Sequence, residues 1–244
     1  MPSAGRRAVT KPHTSADSRD DFLDLAGHEL RTPITALRGQ AQLLQRRLRA
    51  QPDRASDADA LDRMMYQIER LNLELDIYLD ASHIFRRRFD LLPIDCDLVA
   101  IARRLVETYT AGVSTHEFTL ETDDDEIRGY WDRKRLHMAT ASLLANAVKF
   151  SAGGKVRVRT MVVGANARLE VHDAGVGVRP ADRYRIFEPY ERGSNAAHGG
   201  AGLGLFVTRA IVKRHQGRLG VRARPGGGSI FWLTVPMPSA QNER

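Results

Sequence analysis

The sequence predicts an α+β chain, an antiparallel helical hairpin followed by an α/β sandwich. Three observations carry that expectation. Two stretches, 22–48 and 61–82, repeat apolar residues at gaps of three and four, which is helical heptad spacing. Beyond residue 94, short segments that alternate apolar and polar are interleaved with helical patterns. Between 174 and 202 lies a long, glycine-rich stretch with neither period.

In the first stretch the seam runs Leu30, Ile34, Leu37, Ala41, Leu44 and Leu48, preceded by Leu23 and Gly27. His28 sits one residue off this seam, so its imidazole is expected beside the buried stripe. Pro33 has no N–H and opposes the carbonyl of Glu29, so a kink is expected in the turn carrying His28 and Glu29. Thr32 shares that face. By itself the His28-Glu29 pair reads best as a solvated helix surface.

A break at Gln51-Pro52-Asp53 precedes the second seam: Leu61, Met64, Ile68, Leu71, Leu75, Tyr78 and Ser82. Two such helices joined by a short polar link form an antiparallel hairpin. A lone hairpin cannot bury both seams, so a homodimeric four-helix bundle is expected, with the Met and Leu stripe as its core.

A boundary falls near residues 89–93. Asp97 is placed to cap a helix over 97–110, and 116–122 and 127–131 read as strands. Asp132 is placed to cap a second helix that ends near Phe150. Strands follow over 155–163 and 168–173, then the irregular stretch, a helix over 203–215, and strands over 219–224 and 229–235. The sheet is expected to be mixed and mostly antiparallel, with helices on one face. The domains expected are a disordered tail (1–20), the hairpin (21–90), the sandwich (91–237) and a short tail (238–244).

Composition narrows the function. With 42% hydrophobic and 27% charged residues in 244, the chain is ordinary for a globular protein. Its single cysteine, Cys96, allows no internal disulfide, which fits a reducing compartment. No run of about 18 apolar residues occurs, so no membrane span is expected. The net charge of +7 raises the question of nucleic acid. The basic residues are scattered, however, and aromatics do not interleave with them, so no nucleic-acid partner is expected.

Four pieces of the second unit suit a phosphate ligand. Asn146 offers an amide oxygen for Mg²⁺, and Lys149, on the same face, a cation for phosphate, just before Phe150. Asp173-Ala174-Gly175-Val176-Gly177 ends a strand with a carboxylate and glycines that permit close backbone approach. Phe187-Glu188-Pro189-Tyr190-Glu191-Arg192 is an apolar anchor followed by charge. Gly200-Ala201-Gly202-Leu203-Gly204-Leu205 runs into a helix, where backbone N–H groups cradle phosphate. Residues 193–198 between them are small and polar, suited to a mobile lid.

In this order and spacing the pieces resemble the sensor histidine kinases of two-component signalling, from Asp20 to Pro236. His28-Glu29-Leu30-Arg31-Thr32-Pro33 resembles the phosphoacceptor box, and the four later pieces the N, G1, F and G2 boxes. The resemblance implies a Bergerat-type ATP-binding sandwich, ATP and Mg²⁺ as cofactors, a homodimer and a cytoplasmic location. It implies that His28 is the nucleophile, Glu29 its base or orienter, and Thr32 the residue that positions water for dephosphorylating a partner. It implies a metal contact from Asn146, phosphate contacts from Lys149, and adenine recognition by Asp173, with Gly175 and Gly177 making room. Phe150, Phe187, Arg192, Gly200, Gly202, Leu203 and Gly204 complete the implied ATP site. The implied partner is a response-regulator receiver domain whose aspartate accepts the phosphoryl group.

Three departures stand out. Ser142 replaces a second asparagine, which implies weaker Mg²⁺ or ATP binding. His215-Gln216-Gly217 replaces His-Gly-Gly. No sensor-like segment precedes Asp21, so the stimulus is expected from a separate sensor protein, from a partner, or through a segment outside a fragment. A non-catalytic dimerising module and an ATPase of the chaperone or mismatch-repair type stand as alternatives; the His28 box argues against the second.

Overall fold

The computed structural model describes residues 15–49, 55–191, 193 and 201–237, with side chains described from Leu30 onward except at Arg49 and Ala55. Two long helices, α1 (Ser15–Arg49) and α2 (Ala55–Phe85), pack side by side. Helix α1 begins at Ser15, inside the stretch expected to be a tail, and it is continuous through Pro33. The outer part of that tail and the C-terminal residues 238–244 lie outside the described residues.

Three polar rungs fix the register of the hairpin. Arg31 donates to Asp76 at 2.7 Å, Arg38 to Glu69 at 3.3 Å, and Gln45 to Asp62. Each rung is seven residues from the next on both helices, so the pair is antiparallel with a constant heptad step. His28, one turn before Arg31, therefore lies level with Leu79 and Asp80 on α2.

The seam divides into covered and open positions. Ala41 and Leu48 are buried against Ala58 and Leu61, with Met65 and Ile68 packed alongside. The intervening positions are open: Leu30, Leu37 and Leu44 on α1, and Met64, Leu71 and Tyr78 on α2, are each about half exposed. One chain covers only alternate rungs of its own apolar pattern.

The second unit starts with β1 (Ile94–Asp97) and α3 (Leu98–Gly112). Asp97 caps α3 by accepting from the N–H groups of Val99 and Ala100, at 2.9 and 3.0 Å. The same carboxylate accepts from Ile127 N–H at 2.9 Å, which ties β3 (Arg128–Trp131) to the start of the helix. Strands β1 and β3 form their own two-stranded antiparallel sheet instead of joining the main one.

The main sheet has five strands in the order β2-β4-β5-β7-β6: β2 (His116–Thr122), β4 (Gly154–Val163), β5 (Asn166–His172), β7 (Ser229–Pro236) and β6 (Arg218–Ala223). Only β2 and β4 run parallel; every other neighbour is antiparallel. Helices α3, α4 (Arg133–Phe150) and α5 (Gly204–Arg214) cover one face. Alternation decides which side chains meet them: Val156, Val158, Leu169, Val171 and Leu233 are fully buried with Leu136, Leu143 and Leu144 of α4. On the other face Glu170 accepts from Arg168, Arg222 and His172, and the Arg168 guanidinium lies 4.6 Å from the centre of the Trp232 ring.

Asp132 caps α4 through Arg135 N–H and also accepts from Leu92 N–H, while its own N–H donates to His215 Nε2 at 3.0 Å. His215 Nδ1 donates to the carbonyl of Ile211, so this imidazole holds the end of α5 to the start of α4. Gln216, where the family pattern has glycine, takes a φ of 58°. That left-handed geometry costs a residue with a side chain about 1 kcal/mol, and the turn accepts it.

Candidate functional site

Helix α4 carries Asn146, Lys149 and Phe150 near its C-terminal end, beside the loop that follows β5. There the chain leaves β5 at Asp173. The Asp173 Oδ1 accepts two backbone bonds, from Gly175 N–H at 2.8 Å and from Ser229 N–H at 3.1 Å. Val176 N–H donates to the carbonyl of Phe150, joining the loop to the end of α4. A Cβ at residue 175 would lie 2.3 Å from that same carbonyl oxygen, so only glycine lets the two segments meet. Gly175 shapes the turn and does not line the cavity.

The cavity that opens here has a volume of about 690 Å³, within the range of small-molecule sites. Asn146, Lys149, Phe150, Asp173, Gly177, Gly202, Leu203 and Gly204 line it, so eight of the residues singled out from sequence come together. Asp173 is buried, and burial raises its carboxyl above the usual range against the opposing pull of its two backbone donors. Lys149 Nζ sits 5.0 Å from the centre of the Phe150 ring.

Helix α5 points its start at this cavity. Leu203 supplies no capping side chain, and the first turn holds no acidic residue. First-turn N–H groups have no carbonyl one turn behind them, and Leu203, Gly204 and Leu205 all line the cavity. That is an anion-binding arrangement. Ser142, one turn before Asn146, is buried and lines the same space. A Cβ at residue 204 would lie 2.9 Å from Ser142 Oγ and 3.8 Å from Ile77. Gly204→Ala is therefore expected to push α5 off α4 and weaken nucleotide binding about tenfold, roughly 1.4 kcal/mol; titration with ADP checks it, and unchanged affinity would count against this close approach.

Other expected positions fall elsewhere. Phe187 ends a 3-10 turn (Arg185–Phe187) and is buried in the core, away from the cavity wall; its large apolar ring is worth more packed than facing a polar ligand. Arg192, Gly200 and most of the expected lid lie outside the described residues. His28 and Glu29 are described as backbone within α1, and Thr32 is exposed. Sequence reasoning missed one wall entirely: Tyr66, Arg70, Leu73, Glu74, Ile77 and Tyr78 of α2 line the cavity. A second apolar stripe on α2, Tyr66, Leu73, Ile77 and Ile84, was the available signal.

Two family models match separate stretches of the chain. Residues 18–84 match the His Kinase A (phospho-acceptor) domain. Residues 131–239 match the Histidine kinase-, DNA gyrase B-, and HSP90-like ATPase family. The chain carries the catalytic core of a sensor histidine kinase.

Among curated histidine kinase relatives, the alginate biosynthesis sensor protein KinB of Pseudomonas aeruginosa is 30% identical over 234 residues, which cover 95% of this chain and 39% of KinB. The sensor-like histidine kinase SenX3 of Mycobacterium tuberculosis is 29% identical over 244 residues, covering 95% of this chain and 58% of SenX3. The chain thus spans well under two thirds of either. Among solved structures, full-length ShkA in complex with AMPPNP is similar with a TM-score of 0.60 and 26% identity, over 91% of this chain and 46% of ShkA. The histidine kinase core here therefore comprises a phosphoacceptor hairpin and an ATP-binding domain. Among the described residues no helix is long and apolar enough to cross a membrane.

Proposed function

We propose that the cavity binds ATP and that its γ-phosphoryl group passes to His28, then to an aspartate on a response-regulator receiver domain. The observation that carries this reading is the convergence of Asp173, Asn146, Lys149 and the open start of α5 on one cavity beside a hairpin whose α1 bears the His28 box. Asp173 accepts from the exocyclic amine of adenine. Lys149 and the first-turn N–H groups of α5 hold the phosphates. Neutral imidazole is already a nucleophile, so catalysis rests on positioning and on neutralising charge. One ring nitrogen of His28 attacks phosphorus, the N–P bond forms, the bond to the β-phosphate oxygen breaks and ADP leaves. Glu29 accepts or orients the proton on the other nitrogen.

Among the described residues no cluster of three His, Cys, Asp or Glu side chains could hold a metal by itself. The Asn146 amide on the cavity wall fits Mg²⁺, which binds through one or two protein oxygens plus substrate phosphates and would neutralise their charge; Asn146 would supply the amide oxygen. In a separate hydrolytic reaction, which releases inorganic phosphate and restores the aspartate, we assign Thr32 to orient water against the phosphorylated regulator. The core works on the cytoplasmic side, where ATP is. Incubation with γ-labelled ATP and Mg²⁺ tests the reading. Acid-labile, base-stable label on the chain is expected; none would sink it.

The half-exposed residues Leu30, Leu37, Leu44, Met64, Leu71 and Tyr78 point to a homodimer, in which two hairpins bury the open rungs as a four-helix bundle. Leu37→Asp combined with Leu71→Asp is expected to convert a dimer into a monomer of 27.2 kDa. Light scattering reads the mass, and a persistent dimer would place the interface elsewhere.

A further inference from the structure

Helix α2 does more than present the phosphoacceptor hairpin. We propose that it is a working wall of the nucleotide cavity, clamped at both ends, so that hairpin docking and adenine-nucleotide binding strengthen each other. The inference rests on the reading that this cavity takes ATP.

Between the clamps, Arg70, Leu73, Glu74 and Ile77 face the same space as Asn146 and Lys149. Arg70 pairs with Glu74 at 3.2 Å, and both are half exposed, so a guanidinium stands on the wall of a site for an anionic ligand. At one end the Tyr66 ring meets Tyr109 edge-on at 5.1 Å. A Cβ at Gly112 would lie 2.1 Å from that of Tyr66, so α2 reaches this position only because α3 ends in glycine.

At the other end Asp80 pairs with Arg135 of α4, their side chains only 5% and 19% exposed. One turn on, the Phe85 ring stacks with both Tyr190 (6.2 Å, 10° between planes) and Phe206 (5.2 Å, 20°). Neither partner ring lines the cavity, but both sit on segments that do. Tyr190 N–H donates to the carbonyl of Gly202, a wall residue, and Phe206 lies in the first turn of α5. Tyr190 holds a φ of 64°, a backbone strain of the kind that persists only where surrounding contacts enforce it. Phe85 is thus a positioning residue, linking the end of α2 to two elements that bound the ligand. Coupling of this kind is reciprocal: whatever docking adds to nucleotide affinity, nucleotide adds to docking.

The test uses the whole chain and ADP as probe. Calorimetric titration compares wild type with Phe85→Ala and with Phe85→Tyr, which keeps the ring; hydrogen exchange across 66–80 is followed with and without ADP. Phe85→Ala is expected to weaken ADP binding about tenfold while Phe85→Tyr stays within about twofold, and ADP is expected to slow exchange in wild-type α2. Equal affinities for wild type and Phe85→Ala, an equal loss in both variants, or exchange in α2 indifferent to ADP would overturn the linkage while leaving the ATP site standing. A wild-type chain that binds no ADP would overturn both. The exchange arm needs no substitution, so it decides the matter even if Phe85→Ala folds poorly.

Discussion

His28→Gln is expected to abolish acid-labile phosphorylation, a fall of at least about a thousandfold or roughly 4 kcal/mol of barrier, while ADP affinity stays at the wild-type value. Glutamine keeps a polar side chain and has higher helix propensity than histidine, so the hairpin should lose nothing by the exchange. What it removes is the nucleophilic ring nitrogen, for which the amide has no substitute. The separation of effects follows from register. The rungs Arg31–Asp76, Arg38–Glu69 and Gln45–Asp62 set His28 level with Leu79, beyond the α2 residues 66–78 that line the cavity. Labelling with γ-labelled ATP and ADP titration are read on the same preparations. Undiminished label would mean that another residue accepts the phosphoryl group.

Asp173→Asn is expected to weaken adenine-nucleotide binding about a hundredfold, roughly 3 kcal/mol, while the folded chain becomes slightly more stable. Oδ1 of Asp173 is engaged by the N–H groups of Gly175 and Ser229, and an asparagine carbonyl serves them equally well. The second oxygen is the one able to accept from an adenine amine; in asparagine it becomes an NH₂ that confronts another donor. Stability moves the other way because burial raises the folded-state pKa above the unfolded value of about 3.9. The contribution of Asp173 is fully present below that unfolded value and lost as pH rises through the raised folded one, so at neutral pH the buried carboxylate costs stability that asparagine does not. For the same reason wild-type nucleotide affinity should begin to fall at a higher pH than an ordinary aspartate would give. ADP titrations across pH 4–8 and thermal melts at pH 7 check both statements. A variant that binds ADP normally would remove Asp173 from the adenine site.

Local chemistry was legible in the sequence. Asp97 and Asp132 cap α3 and α4 where helix-start rules place them, and Asn146, Lys149, Asp173 and Gly204, which the family resemblance singled out, line one cavity. What escaped prediction was long-range. Strands β1 and β3 leave the main sheet, and β2 pairs in parallel with β4; a strand pattern states which face is buried, not which strand lies beside it. The division of the seam was equally hidden. Leu37 and Ala41 carry the same heptad signal, yet one faces outward and the other the partner helix. The α2 wall was missed because the seam reading followed a single face and left out Tyr66, Leu73 and Ile77, on a helix that serves three faces.

The chain has two tryptophans, and both lie in the ATP-binding domain. Trp131 is buried, its Nε1–H donating to the carbonyl of Pro236 at 2.8 Å, and Trp232 packs under Arg168 on the outer side of the sheet. The two long helices contain none. Tryptophan emission, excited selectively over tyrosine, is therefore a private reporter of one domain, whereas far-ultraviolet dichroism is weighted toward the helices. Melting followed by both signals at once separates a hairpin that peels away from a domain that unfolds, without any label added to the chain.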